Sequence, residues 1–169
     1  GTVALPGAVS DLAGAYRATC AIVGGEVWCW GFDDHGQLGD GPGGVETCSG
    51  MPCARSPRRV GSLSDISQLW VGPAGACARN SSNETYCWGE NLRRPDGNMS
   101  QFPGLPEGLI ESPMRAPMLD RFEVLEFGGR VVPYGCGVDT GIVYCWGAND
   151  RGVGSAATVG YGIQPVLSP

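Results

Sequence analysis

Short stretches in which apolar and polar residues alternate dominate the chain, as in residues 65–71 (DISQLWV) and 120–127 (DRFEVLEF). A period of two turns one side of a segment toward a core and the other toward solvent, which predicts half-buried β-strands. The strongest local pattern is a pair of such runs around a tight turn, CAIVGGEVWC at residues 20–29 and CGVDTGIVYC at residues 136–145. With Gly24-Gly25 as a two-residue turn, Val23 faces Glu26, Ile22 faces Val27, Ala21 faces Trp28 and Cys20 faces Cys29. A turn at Thr140-Gly141 sets the same register in the other segment and ends with Cys136 opposite Cys145. CARNSSNETYC at residues 77–87 is one residue longer, which predicts a loop of three residues around Ser81 to Asn83 with Cys77 still facing Cys87.

Each hairpin runs into a Cys-Trp-Gly string: VWCWGFDDHGQLGDG, TYCWGENLRRPDG and VYCWGANDRGVGS. Their tryptophans, Trp30, Trp88 and Trp146, are separated by two equal intervals of 58 residues (30 to 88, 88 to 146), so one supersecondary unit is used three times. An alternating run precedes the second and third hairpins, and a proline-containing strand start follows each of the three, in SPRRV (residues 56–60), PMRAPML (113–119) and GIQPVL (162–167). The sum is about four short strands per unit, the content of one propeller blade. The expected fold is all-β: three four-stranded propeller-type blades forming a partial or open propeller of disulfide-stapled hairpins. Approximate repeats are 8–60, 61–118 and 119–169 within a single repeat domain at 1–169. The stretch from about 98 to 116 and the loop around Cys48 read as insertions.

Composition agrees with many short elements joined by tight turns, since there are 29 glycines and 13 prolines against 17% charged residues. A net charge of -6 with no lysine leaves no basic stripe for a phosphate backbone, so nucleic acid is not an expected partner. No run approaches the roughly 18 apolar residues that span a bilayer, so direct membrane insertion of this segment is not expected either. The first residues lack the basic-then-apolar layout of a signal peptide, and no methionine opens the chain. Both features predict a piece of a longer polypeptide.

The repeat register pairs Cys20 with Cys29, Cys77 with Cys87 and Cys136 with Cys145, and leaves Cys48 and Cys53 to close a small loop. A zinc site is the alternative for cysteine-rich sequence. It prefers closely spaced cysteine pairs backed by a second pair or by histidines, whereas His35 is the one histidine and the hairpin cysteines have eight or nine residues between them. Four disulfides and no metal are therefore expected, which calls for an oxidising compartment.

Asn80, Asn83 and Asn98 each open an acceptor sequon for N-glycosylation, the first two at or beside the tip of the second hairpin. Trp30, Trp88 and Trp146 occupy one position in three repeats and are read as repeat core, while the less regular Trp28 and Trp70 are candidates for a contact surface. Asp33, Asp34, His35 and Asp40 do not follow the ligand spacing of a calcium loop and are read as turn caps. The paired arginines Arg58-Arg59 and Arg93-Arg94 are read as solvated loop residues. No nucleophile elbow, Walker loop, dinucleotide fingerprint or metalloprotease helix occurs, so neither catalytic residues nor cofactors are expected and the chain is read as not an enzyme.

With these residues in hand, the sequence resembles the regulator-of-chromosome-condensation repeat family, whose propeller repeats carry a V-[YW]-x-W-G-x-N-x-x-G-Q-L-G-like string. Val27, Trp28, Trp30, Gly31, Gly36, Gln37, Leu38 and Gly39 match it well. Val143, Tyr144, Trp146, Gly147, Asn149, Gly152 and Gly154 match more loosely, and the second unit keeps Trp88, Gly89 and Asn91 before departing. The resemblance implies a propeller that usually has seven blades. Three blades leave edges to be covered by further blades, by other copies, or not at all in an open arc. The extra cysteines resemble those of secreted bacterial relatives and of plant receptor kinase ectodomains. The expected role is a non-enzymatic extracellular or cell-surface module for protein interaction or structural assembly, in a filament glycoprotein or a receptor ectodomain, with another protein or copies of itself as partner. An inhibitor of a secreted enzyme is the alternative, and nucleotide exchange on a GTPase follows by family analogy alone.

Overall fold

The computed structural model describes residues 1–42, 46–92, 101–129 and 134–147, together with the backbone of residues 164–165. Three antiparallel sheets follow one another along the chain. The first contains β1 (Val9–Ala15), β2 (Ala18–Val23), β3 (Glu26–Phe32), β4 (Glu46–Cys48) and β5 (Met51–Arg59) in the spatial order β1-β2-β3-β5-β4. The second contains β6 (Ile66–Gly72), β7 (Gly75–Asn80), β8 (Thr85–Asn91) and β9 (Gly108–Arg115) in chain order. The third contains β10 (Val124–Gly128), β11 (Tyr134–Asp139), β12 (Ile142–Gly147) and β13 (Gln164–Pro165), also in chain order. Strand β6 lies beside β1 and β2 of the first sheet and beside β10 of the third, so the sheets stack as successive blades.

Turn chemistry sets the register. Gly24 and Gly25 both have positive φ (59° and 79°), the primed turn that matches strand twist, and the pairs run from Val23 with Glu26 to Cys20 with Cys29. Thr140 and Gly141 repeat this, from Asp139 with Ile142 to Cys136 with Cys145. In the second blade the Asn80 amide bonds the Glu84 carbonyl and encloses a loop of Ser81 to Asn83.

The glycine after each repeat tryptophan has a separate cause. β3 shifts register against β5 between Cys29 and Gly31, and β8 shifts against β9 between Cys87 and Gly89. At these bulges Gly31 and Gly89 take φ of 113° and 105°, and a Cβ there would lie 2.2 Å from the Arg17 carbonyl oxygen or 2.3 Å from Gly75 Cα. Both the dihedral and the backbone approach require glycine.

One apolar core runs between the blades. Ile22, Val27 and the Cys20–Cys29 bridge lie in it with Leu63, Ile66 and Leu69 of the second blade, and Phe102 meets Phe127 edge-on at 5.4 Å between ring centroids. Phe122 stacks on Trp146 at 5.3 Å.

Three expectations are corrected. The first sheet has five strands, because the Cys48 loop is a hairpin, β4–β5, that extends it. The insertion expected at about 98–116 is not one over its described residues. These, residues 101–116, supply β9, the fourth strand of the second blade, and the buried Gln101 and Phe102. The expected strand start at 113–119 breaks at Pro117, which lacks a ladder donor and opens the short 3-10 turn Pro117–Leu119. Among the described residues, no helix is long and apolar enough to cross a membrane.

Candidate interaction surface

The blades are joined by a repeated hydrogen bond. Trp88 is fully buried, and its indole Nε1 donates to the Gln37 carbonyl in the loop that leaves the first blade, at 3.0 Å. Trp146 Nε1 donates to the Gln101 carbonyl in the loop of the second blade, at 2.8 Å. The first loop is built to hold that carbonyl. Asp33 Oδ1 accepts the Leu38 amide, Gln37 Oε1 accepts the His35 amide, and Gln37 Nε2 donates to Asp34. Gly39, with φ of 65°, passes so close to Trp88 that a Cβ would lie 2.5 Å from Cδ1 of the indole. Burial pushes the Asp33 carboxyl above its ordinary pKa, against the opposing effect of the Leu38 amide. Trp30, at the equivalent position of the first blade, is only half-buried.

The described disulfides are Cys20–Cys29, Cys77–Cys87 and Cys136–Cys145, each with Cα atoms 4.1 Å apart, and Cys48–Cys53 at 5.8 Å. No cysteine is free. The first two hairpin bridges are buried between blades. Among the described residues, no group of three or more His, Cys, Asp or Glu is placed to hold a metal ion.

Sequence reasoning missed Arg79. It is buried, its guanidinium donates to Thr85 Oγ1, to the Leu119 carbonyl and to the Phe122 carbonyl, and it stacks over Trp70 at 5.0 Å. Burial holds its pKa below the usual arginine value. The cation thus ties the second blade to the chain that enters the third. Arg79 occupies the position held by Ile22 and Val138 in the other hairpins, so repeat alignment carried the signal as a charge at an inward-facing site.

The remaining candidates are placed as follows. Trp28 and Trp70 are both half-buried, and Trp70 lies beneath Arg79. Arg58 pairs with Asp40 at 2.8 Å and Arg59 with Glu26 at 2.8 Å, while Arg93 and Arg94 lie outside the described residues. Asn80 is engaged in the loop: its Oδ1 accepts the Ser82 and Glu84 amides and its Nδ2 donates to Glu84. Asn83 is exposed at the tip with φ of 63°, and its Nδ2 donates to the Asp120 carbonyl. Asn98 lies outside the described residues. The rim of the first blade gathers Tyr16, Arg17, Asp34, His35 and Pro73 around an open depression, with Arg17 stacked on Tyr16 and Phe32 and paired to Asp34. His35 Nδ1 reaches Glu90 of the second blade at 2.9 Å.

At the opposite rim Arg115 grips both oxygens of Asp120, at 2.9 and 2.5 Å, and Asp120 Oδ1 also accepts the Thr85 amide. Although burial opposes ionisation, Arg115 and that amide hold the Asp120 carboxyl below its ordinary range. A depressed folded-state pKa stabilises the fold fully above the unfolded value of about 3.9 and ceases to do so as pH falls through the folded value. Thermal melts across acid pH are expected to show a decline below about pH 4 that is shallower in Asp120→Asn. An identical decline in both proteins would contradict this role.

Successive antiparallel blades, each clamped to the one before by an indole on a loop carbonyl, define a β-propeller segment. Residues 24–78 match the model of the Regulator of chromosome condensation (RCC1) repeat. It is 28% identical over 174 aligned residues to human E3 ubiquitin-protein ligase HERC2, covering 90% of this chain and 3% of that protein. Yeast RCC1 (Prp20), solved with Kap60 bound, superposes with a TM-score of 0.66 at 15% identity, over 95% of this chain and 37% of the other. Human WBSCR16 superposes with a TM-score of 0.65 at 19% identity, over 95% of this chain and 40% of the other. The chain therefore spans well under half of each of these proteins.

Proposed function

We propose that the chain is a non-enzymatic interaction or assembly module that works outside the reducing cytosol, as one repeat domain within a longer cell-surface or secreted polypeptide. The observation that carries this reading is the disulfide set: three bridges lock equivalent strand pairs, a fourth closes the β4–β5 hairpin, and no thiol remains for chemistry. Such pairs persist where glutathione and thioredoxin do not reduce them. A rigid bridged scaffold that projects loops suits recognition, and protein binding is the theme of solved relatives: yeast RCC1 (Prp20) was crystallised bound to Kap60, and the binding of Prp20p to Gsp1p and histones is named with its structure. The exposed tip of β4–β5 and the hairpin tip bearing Asn83 are the loops we assign to contact and to glycosylation. Asn83 suits a glycan better than Asn80: it is exposed and its amide makes one bond, from Nδ2 to the Asp120 carbonyl, whereas the Asn80 amide makes three within its own loop.

The test is peptide mapping of the protein from its native source, alkylated before or after reduction, with a parallel glycosidase digestion. Modification of all eight cysteines only after reduction is expected, with a glycan on the peptide that contains Asn83. Alkylation without reduction would return the chain to a reducing compartment and overturn the reading.

A further inference from the structure

The second and third blades are entered by equivalent linkers. The amides of Val60 and Ala116 donate to the equivalent carbonyls of Val27 and Thr85. Three buried pairs keep the same interval of 56 residues, Leu63 with Leu119, Ile66 with Phe122 and Leu69 with Leu125. Asp65 therefore stands where Arg121 stands. In the hairpins that follow, Ala78 faces Tyr86 as Gly137 faces Tyr144, which makes Tyr86 equivalent to Tyr144 and Asn80 equivalent to Asp139.

In the third blade these three positions hold one another. The Arg121 guanidinium lies over the Tyr144 ring, 4.9 Å from its centroid. Its Nε donates to Asp139 Oδ2 at 2.8 Å, and Nη2 donates to the same oxygen. In the second blade the corresponding space is open. Ser62, Leu63 and Ser64 of the linker, Asn80 and Tyr86 of the hairpin, and Pro113 of β9 surround a hollow of about 440 Å³. That volume is within the range of about 300–1,000 Å³ for small-ligand sites. The hollow lies at the junction of the first and second blades, whose facing surfaces both belong to this chain. Its wall keeps the chemistry of the third blade without the cation. Glu84 supplies negative charge there, since its Oε2 accepts Asn80 Nδ2 at 2.8 Å and the Tyr86 hydroxyl at 3.2 Å. Asp65 adds a second carboxylate in place of a guanidinium. The cation beside the Tyr86 ring, Arg115, is 5.7 Å from its centroid and is held by both oxygens of Asp120. Among the described residues, every arginine is already bonded, to a carboxylate or, at Arg79, to a hydroxyl and two carbonyls.

We infer that this hollow receives an arginine side chain presented by a partner protein, with the guanidinium over Tyr86 and its N–H groups directed at Glu84. The inference rests on reading the chain as an interaction module, and it names the side chain the partner brings. A planar guanidinium stacks on a ring and bonds a carboxylate at the same time, whereas the compact ammonium of lysine stacks less well and has no fork. Glu84 and Asp65 favour a cation over an anion at this place.

NMR titration of the intact, oxidised chain with the capped tripeptide acetyl-Gly-Arg-Gly-amide tests this, with the lysine analogue and N-acetylglucosamine run in parallel. The arginine peptide is expected to shift the signals of Ser64, Asn80 and Tyr86, the lysine peptide to bind more weakly, and the sugar to leave these signals in place. Tyr86→Leu should weaken the arginine peptide about two- to fivefold, the scale of an exposed cation–π contact, and Glu84→Gln should weaken it as well. Arg121→Ala empties the equivalent position of the third blade and is expected to add a second set of shifts at Asp139 and Tyr144. Shifts confined to other residues, an equal response to both peptides, binding of the sugar, indifference to both hollow substitutions, or no second set in Arg121→Ala would overturn the proposal. Any of these outcomes, with all cysteines still oxidised, leaves the wider reading of a disulfide-bridged interaction module standing, whereas free thiols would sink that reading independently.

Discussion

Replacing Trp88 with alanine is expected to destabilise the protein by about 3–5 kcal/mol, the range for deleting a large buried aromatic side chain. Three losses combine at this residue. The indole is fully buried at the junction of the first two blades, its N–H is the donor to the Gln37 carbonyl, and Gly39 has given up a side chain to let it approach. Alanine leaves a cavity and a buried carbonyl without its partner, which adds to the packing loss. Trp30→Ala serves as the internal control, because Trp30 holds the same repeat position and is only half-buried. Chemical denaturation of both variants should show a large drop in midpoint for Trp88→Ala and a clearly smaller one for Trp30→Ala. Equal losses would mean that tryptophan stabilises each blade separately and not the junction.

The second large effect is expected from the paired substitution Cys77→Ala/Cys87→Ala. The two residues are 10 apart in sequence, and freeing a loop of that size restores chain entropy worth about 3 kcal/mol to the unfolded state. Both cysteines are fully buried against the third blade, so the smaller alanines also loosen packing there. The Cys48–Cys53 pair closes a shorter loop, with 5 residues of separation, at the edge of the first sheet, and its removal should cost less. Thermal unfolding of the two double variants checks the order. A larger loss from the Cys48–Cys53 pair would contradict the assignment of the hairpin bridges to the core.

What could be read from the chain before its fold was known divides along a physical line. The hairpins were legible to the residue, because a two-residue turn fixes register and a one-residue slip would have separated the cysteines and reversed every side chain. Constant spacing marked Trp30, Trp88 and Trp146 as equivalent; the last two are buried, whereas Trp30 is only half-buried. The partners of the tryptophans were not legible, since the acceptors are backbone carbonyls of Gln37 and Gln101, and a main-chain group leaves no mark in sequence. Strand β9 escaped notice because GLIESPMR carries two charges and a proline among few apolar residues, as suits the outermost strand of its blade. Phe102 escaped with it, hidden in a stretch that reads as a loop. Arg79 was overlooked because charge at an inward position is rare, and its three acceptors come from Thr85 and from a segment some 40 residues away. Local turns and covalent pairs announce themselves, whereas contacts between blades do so only when the repeats are aligned.

Successive blades are locked by an indole donating to a loop carbonyl of the blade before. Hydrogen–deuterium exchange of the indole N–H groups, followed by NMR, tests it directly. Slow exchange for Trp88 and Trp146 with fast exchange for Trp30 is the predicted result. Comparable rates at all three positions would contradict it.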